Sequence, residues 1–438
     1  MTSTSPSTTA KDLSSTKSYL AGVATQRTPL QLLLIIIGIA GGISVMVQHL
    51  RITDFPVDMI IYREGVKAFF SGGQVYTQPM IAGDIALPFI YPPFSVLALG
   101  PLVLPFIGHT LAGNIMVTAS SLLLLWCLKA IFKTCITNSA QLKHIFAGWD
   151  IPLAALMWPV AMLMEPVHLN DGFAQINTVI MALVIADLIP RQRKIPQGWL
   201  IGLAIAIKIS PAAMLLFFLL KKQYRPILVA SISAIIATAA AAIIRWDQAV
   251  IFFSSTLLSM SSNSEFGVDS TYTSNSSIKA VLMRAAPSRE WLATHHTALN
   301  IAWALAVIIT VILAGWLMKK LLNKGLEIHA WMVNALIMLL ISPISWSHHW
   351  VWLAVIIPTL TLWLLGQYQA KLPWKATAIV SLIFAAIVLT VPPKWWFGDG
   401  VAFTDLNFWA KFLVSDFVWL AYALIAALAW DTKVKQHS

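Results

Sequence analysis

The chain has 438 residues, 58% of them hydrophobic and only 11% charged, and its mean hydropathy is +0.77. That charge density is about half that of a soluble globular domain, which excludes a water-soluble fold. A β-barrel is excluded too, because no ten-residue segments of alternating polarity recur. The net charge of +11 sits mostly at the ends of apolar runs, as the positive-inside rule requires, and implies no nucleic-acid partner.

The first 30 residues hold thirteen Ser or Thr, too polar to span a membrane, and no small-residue cleavage motif follows them. Residues 1–28 are therefore expected to form a disordered cytoplasmic tail before an uncleaved first span. From Leu30 onward, apolar runs reach or exceed the roughly 20 residues a helix needs to cross a bilayer. The expectation is an all-α polytopic membrane protein with twelve transmembrane helices and a single membrane domain over 29–430. The spans fall at 29–48, 90–107, 111–131, 145–164, 174–189, 197–220, 226–244, 298–318, 328–344, 350–368, 374–392 and 412–430, and 431–438 forms a second cytoplasmic tail.

With both termini in the cytoplasm, the tails and the loops 221–225, 319–327 and 369–375 carry thirteen Lys or Arg against three acids. The outer loops 49–89, 245–297, 345–349 and 393–411 carry nine basic and ten acidic residues, an asymmetry that supports this orientation. Lys129, Lys133, Lys143 and the cluster Arg191, Arg193 and Lys194 run against it. Cys127 and Cys135 have neither disulfide nor metal spacing and are given no role.

Within loop 49–89 the apolar spacing of Val57, Ile60, Ile61, Phe69 and Phe70 predicts a short helix over 57–70 lying along the membrane surface, stopped by Gly72 and Gly73. Asp58 stands at its start, where free backbone N–H groups and the helix dipole favour an ionised carboxylate. Such a carboxylate serves either as a general base on a sugar hydroxyl or as a plain helix cap, and Asp54 is its nearest rival. Lys208 lies about eleven residues from either end of its span. A charge that deep calls for an anionic partner, either a lipid phosphate or a structural acid such as Asp171, Asp187 or Glu165.

The segment 344–350 places His348 and His349 between Trp346 and Trp350 on the outer side. A protonated His can hold a phosphate oxygen and an indole face can pack on a sugar ring, though an interfacial aromatic belt has the same composition. Zinc is not expected there, since no third ligand has the spacing. The Ser/Thr/Asn-rich stretches 261–264 and 271–277, with Asn275, Lys279 and Arg284, suit hydroxyls and phosphate as well as they suit a flexible loop. Lys394, Trp395, Trp396, Phe397 and Asp399 add an aromatic cluster on the same face, an acceptor or lipid platform.

Several stretches together resemble the bacterial polyprenol-phosphate-mannose-dependent mannosyltransferases of glycosyltransferase family 87, which have the GT-C type of membrane fold. They are 57–62 (Val-Asp-Met-Ile-Ile-Tyr), 73–76 (Gly-Gln-Val-Tyr), 89–94 (Phe-Ile-Tyr-Pro-Pro-Phe), 174–177 (Ala-Gln-Ile-Asn), 207–211 (Ile-Lys-Ile-Ser-Pro), 274–277 (Ser-Asn-Ser-Ser) and 342–349 (Ser-Pro-Ile-Ser-Trp-Ser-His-His). The resemblance covers about 50–350. It implies a plasma-membrane α-mannosyltransferase, commonly α-1,2-forming, with its active site on the extracytoplasmic face and Asp58 as the base. The donor it implies is polyprenyl phosphomannose and the acceptor a mannosylated lipid, with no metal and no further cofactor. His348, His349 and Lys208 are then candidates for the donor phosphate, with Arg63, Tyr62, Tyr91 and Asn275 lining the donor or acceptor pocket. Ala174 departs from the family's usual Gly, and Met59-Ile60 stands where a polar residue often follows the aspartate. A polyprenyl-phosphoarabinose-dependent enzyme and a sugar-lipid transporter are the rival readings.

Overall fold

The computed structural model describes residues 27–52, 55–190, 192–259, 269–369 and 374–432. Asp54, Arg191, the 261–264 stretch and nearly all of both tails lie outside the described residues. In chain order the principal elements are helices α1 (Pro29–Arg51) and α2 (Val57–Phe70), a hairpin of β1 (Met80–Ala82) and β2 (Ile85–Leu87), then α3 (Phe94–Leu99), α4 (His109–Asn138), α5 (Ala140–Phe146), α6 (Asp150–Met162), α7 (Glu165–Gly172), α8 (Asn177–Leu188) and α9 (Trp199–Ile207). They continue with α10 (Leu215–Leu220), α11 (Tyr224–Ile244), α12 (Ile278–Arg284), α13 (His296–Asn323), α14 (Glu327–Ile341), α15 (Leu353–Gln369), α16 (Lys375–Val388) and α17 (Asp416–Asp431). This is a polytopic helical membrane protein, as the composition requires.

The count of twelve spans is not confirmed by helix length and composition. Among the described residues, six helices are long and apolar enough to cross a membrane, and the pair α5 and α6, bent by 89°, makes a seventh if it is one span. Apolar runs at 90–107, 174–189 and 328–344 fold instead into shorter helices. Run 197–220 breaks at Lys208, which is extended (φ −151°, ψ 128°) between α9 and a 3-10 turn at Ser210–Met214. Pro211 at the head of that turn lacks the N–H that a continuing helix would use. Hydropathy counts apolar residues whether or not they share one straight axis, which is why these runs read as spans.

A small hairpin of two three-residue strands interrupts the helices. Its strands pair Met80 with Leu87 and Ala82 with Ile85, and Gly83 turns the corner at φ +59°, a conformation that glycine adopts without steric cost.

Helix α1 begins with a capping box. Thr28 Oγ1 accepts from the Gln31 amide at 3.2 Å, Gln31 Oε1 accepts from the Thr28 amide at 3.1 Å, and Pro29 follows the cap. The helix then packs on α6 at Gly38 and Gly42, a small-xxx-small pair. A Cβ at Gly38 would stand 2.4 Å from the Ala155 carbonyl carbon, and one at Gly42 would stand 2.0 Å from the Trp158 ring. Because backbone cannot yield as a side-chain tip can, Gly38→Ala is expected to destabilise the protein by about 1–3 kcal/mol. Thermal unfolding in detergent checks this, and an unchanged midpoint would show that the two helices separate freely.

Away from these contacts α1, α11 and α13 present exposed Ile36, Ile243 and Ile312 among other large apolar side chains. Such stripes suit lipid, where no hydrophobic gain is available from burying them. Cys127 and Cys135 are buried and unpaired within α4.

Candidate active site

The apolar spacing of α2 does more than keep it at a surface. Met59, Ile61, Tyr62, Val66 and Phe69 are buried, and Gly65 admits the Phe89 ring, which a Cβ would meet at 2.3 Å. The helix is thus wedged into the bundle, and its first turn opens on a cavity of about 1350 Å³.

Asp58 lines this cavity. It is not the helix cap: Pro56 occupies that position and no side chain caps the helix. The carboxylate instead accepts from Gln175 Nε2 at 2.6 Å. Burial raises the Asp58 carboxyl to about 6 from its ordinary 3.8, against the hydrogen bond from Gln175 and the nearby charge of Lys208, which both lower it. This corrects the expectation from the helix dipole, since desolvation outweighs it. The group remains largely ionised at neutral pH and is a stronger base than an ordinary carboxylate.

Gln175 is aimed by its neighbours. Its Oε1 accepts from the Tyr62 hydroxyl and from the Tyr91 hydroxyl, the latter at 3.1 Å, and the two tyrosine oxygens are 2.7 Å apart. The carbonyl side of the amide is therefore fixed, which leaves its N–H for Asp58. Preceding it, Ala174 sits in the left-handed region at φ 52°, where the family resemblance implies glycine and where an alanine costs roughly 1–2 kcal/mol. Its amide donates to the Asp171 carbonyl and that of Gln175 to the Asn170 carbonyl, bonds that hold the turn.

Lys208 reaches the same cavity because the helix breaks there. Its Nζ donates to Asn177 Oδ1 at 2.8 Å, lies 2.9 Å from His349 Nε2, and stands 5.4 Å from the Tyr91 ring centroid. None of the three acids weighed as structural partners takes it. Asp171 pairs with His49 at 2.8 Å, Asp187 with Arg193 at 3.2 Å, and Glu165 accepts from Ser347 and Trp395. Among the described residues Lys208 has no ion pair.

The two histidines arrive on a 3-10 turn, Ser347–Trp352, that packs against α7. His348 also lines the cavity, its ring against Phe173 at 5.4 Å, and neither of its ring nitrogens has a protein partner. The backbone beneath is pinned, since Asn177 Nδ2 donates to the His348 carbonyl at 3.2 Å.

Three sequence-based assignments fail on geometry. Arg63 does not line the cavity: it is buried and donates to the Leu102 carbonyl. Asn275 is fully buried and acts as a clamp, with Nδ2 donating to the carbonyls of Ser270 and Pro343 and Oδ1 accepting from the Ser345 amide at 2.9 Å. Trp350 is buried against Phe417 rather than open to a sugar. The nearby Arg284 is likewise structural, donating to the carbonyls of Tyr272 and Asn275 and to Ser415 Oγ. Sequence reasoning assigns no site role to Gln175, Asn177 or Glu165, although a run of polar residues between apolar segments is visible at 165–177.

With the site in place, comparison with known proteins is direct. The family model of glycosyltransferase family 87 matches residues 89–343, more than half of the chain, and the chain belongs to that family. It is a glycosyltransferase. A polyprenol-phosphate-mannose-dependent alpha-(1-2)-phosphatidylinositol mannoside mannosyltransferase of Mycolicibacterium smegmatis is 28% identical over 416 residues, 91% of this chain and 89% of the relative. Its namesake from Mycobacterium tuberculosis is 29% identical over 394 residues, 85% of this chain and 84% of the relative. A polyprenol-phosphate-mannose-dependent alpha-(1-2)-phosphatidylinositol pentamannoside mannosyltransferase of Mycobacterium tuberculosis is 25% identical over 324 residues, 72% and 68% of the two chains. Among solved structures, ArnT from Cupriavidus metallidurans bound to undecaprenyl phosphate aligns with a TM-score of 0.42 at 13% identity, covering 91% of this chain and 77% of that one.

Proposed function

We propose that this glycosyltransferase moves mannose from polyprenyl phosphomannose to a mannosylated lipid acceptor, with inversion and α-1,2 linkage, on the extracytoplasmic face of the plasma membrane. The observation that carries the reading is the presence, in one cavity, of a desolvated carboxylate held by Gln175 and of Lys208, which makes no ion-pair contact among the described residues and stands beside two histidines. The names of the relatives support the donor and the linkage, and the bias of Lys and Arg between loops supports the orientation.

In this scheme Asp58 takes the proton of the attacking acceptor hydroxyl as its oxygen bonds to C1 of the mannose. The bond from C1 to the phosphate oxygen breaks, and the departing polyprenyl phosphate gains one negative charge. Lys208 lies where that charge develops, so it stabilises the transition state more than the ground state. His348 and His349 complete the phosphate pocket. No nucleotide sugar and no metal are called for.

Reconstitution of the purified protein with labelled polyprenyl phosphomannose and a mannosylated phosphatidylinositol tests the reading. Label is expected in the acceptor, released by an α-1,2-mannosidase. Transfer from polyprenyl phosphoarabinose with none from the mannose donor would overturn it. The same assay reads the base: since only ionised Asp58 accepts the proton, kcat/KM is expected to fall tenfold per pH unit below about 6. A profile flat from pH 5 to pH 7 would remove Asp58 from that role.

A further inference from the structure

The cavity has a second region, with a chemistry unlike that around Lys208. Three loops distant in sequence bring Tyr272, Trp346 and Trp395 together at its wall. The Tyr272 ring centroid lies 5.9 Å from that of Trp346 and 6.3 Å from that of Trp395, both in edge-to-face geometry. All three side chains are half-buried, so each keeps part of its ring surface open.

Carboxylates orient two of the three, and Trp346 packs edge-to-face on Tyr272. The Trp395 indole N–H donates to Glu165 Oε1 at 2.7 Å, and the Tyr272 hydroxyl donates to Asp399 Oδ1. Locked aromatic faces are what a pyranose ring stacks on through its C–H face, and carboxylate oxygens with spare lone pairs accept its hydroxyls. Asp399 is exposed and, among the described residues, has no ion pair, so Oδ2 remains for a ligand. An anionic headgroup is disfavoured at this wall by that same unpaired charge, while a neutral polyol is not.

We propose that Tyr272, Trp346 and Trp395, with Asp399, form a subsite that grips the neutral glycan of the acceptor at sugar units beyond the one that reacts. The proposal rests on the transferase reading above for its account of the ligand as an acceptor. It makes the chain's preference among acceptors a property of this wall rather than of Asp58.

Two measurements test it. In the transfer assay, Trp346→Ala and Asp399→Asn are expected to raise the acceptor KM about tenfold, to leave the donor KM within about twofold, and to narrow the preference for a trimannosyl over a monomannosyl acceptor. Trp396→Ala is the control, because that side chain is exposed, lies outside the cavity and donates only to the Val391 carbonyl. Equal acceptor KM values in wild type, Trp346→Ala and Asp399→Asn would overturn the proposal. Separately, saturation-transfer NMR with α-mannotriose needs no turnover: the wild type is expected to bind the free glycan and Trp346→Ala to lose it. Absence of binding to the wild type would overturn the subsite. Binding without mannose transfer would leave the subsite standing and sink the mannose-donor reading.

Discussion

Asp58→Asn is expected to lower kcat by about 10²–10⁴-fold, the range that a positioned general base contributes, while the thermal midpoint stays the same or rises. The structural side of this follows from the hydrogen bond. Asparagine keeps a carbonyl oxygen that accepts from Gln175 Nε2, so the 2.6 Å contact survives. Asparagine also carries no charge into a site where burial raises the carboxyl to about 6, so the folded state loses a group that desolvation penalises. Label transfer measured beside thermal unfolding separates the two effects. Activity within a few-fold of wild type would mean that another group takes the proton. Lost activity with a sharply lowered midpoint would mean that the carboxylate is structural.

Lys208→Gln is expected to lower kcat by about 10²–10³-fold, the effect of removing one preorganised group that faces developing charge. It should also weaken inhibition by polyprenyl phosphate, the charged product. Glutamine keeps a donor for Asn177 Oδ1, which Lys208 now holds at 2.8 Å, so the surrounding turn is retained. Stability should not fall, because breaking a buried pair is costly only when it strands a partner charge, and no acid is paired with Lys208 among the described residues. Unfolding of Lys208→Gln at lower temperature, with normal turnover in the fraction that stays folded, would assign the lysine to the fold.

Several of these features are legible in the order of residues alone. Helix 57–70 is readable to its bounds because apolar spacing and a Gly-Gly stop are local signals, and Asp58 and Lys208 stand out as charges where charges are rare. What is not legible is what depends on contacts between distant segments. Arg63 looks like a free cation on an amphipathic helix until the Leu102 carbonyl, from the next segment, takes it. Asn275 sits in a stretch whose composition suits sugar binding, yet it fastens that stretch to Pro343 and Ser345. Gln175 gives no hint of its place beside Asp58, because 117 residues separate the two. The span boundaries are hidden for a different reason: an apolar window does not register the turn at Lys208 or the 89° bend before Asp150.

The Asn275 clamp has a bearing on how natural variation in this family is interpreted. One amide fastens the loop that delivers both histidines, yet it is fully buried and lines no part of the cavity. A saturation-mutagenesis screen scored only on glycolipid output would group Asn275 with His348. Scoring abundance in the membrane alongside output would divide them: alleles of the clamp deplete the protein, whereas alleles of the histidine leave it present and silent.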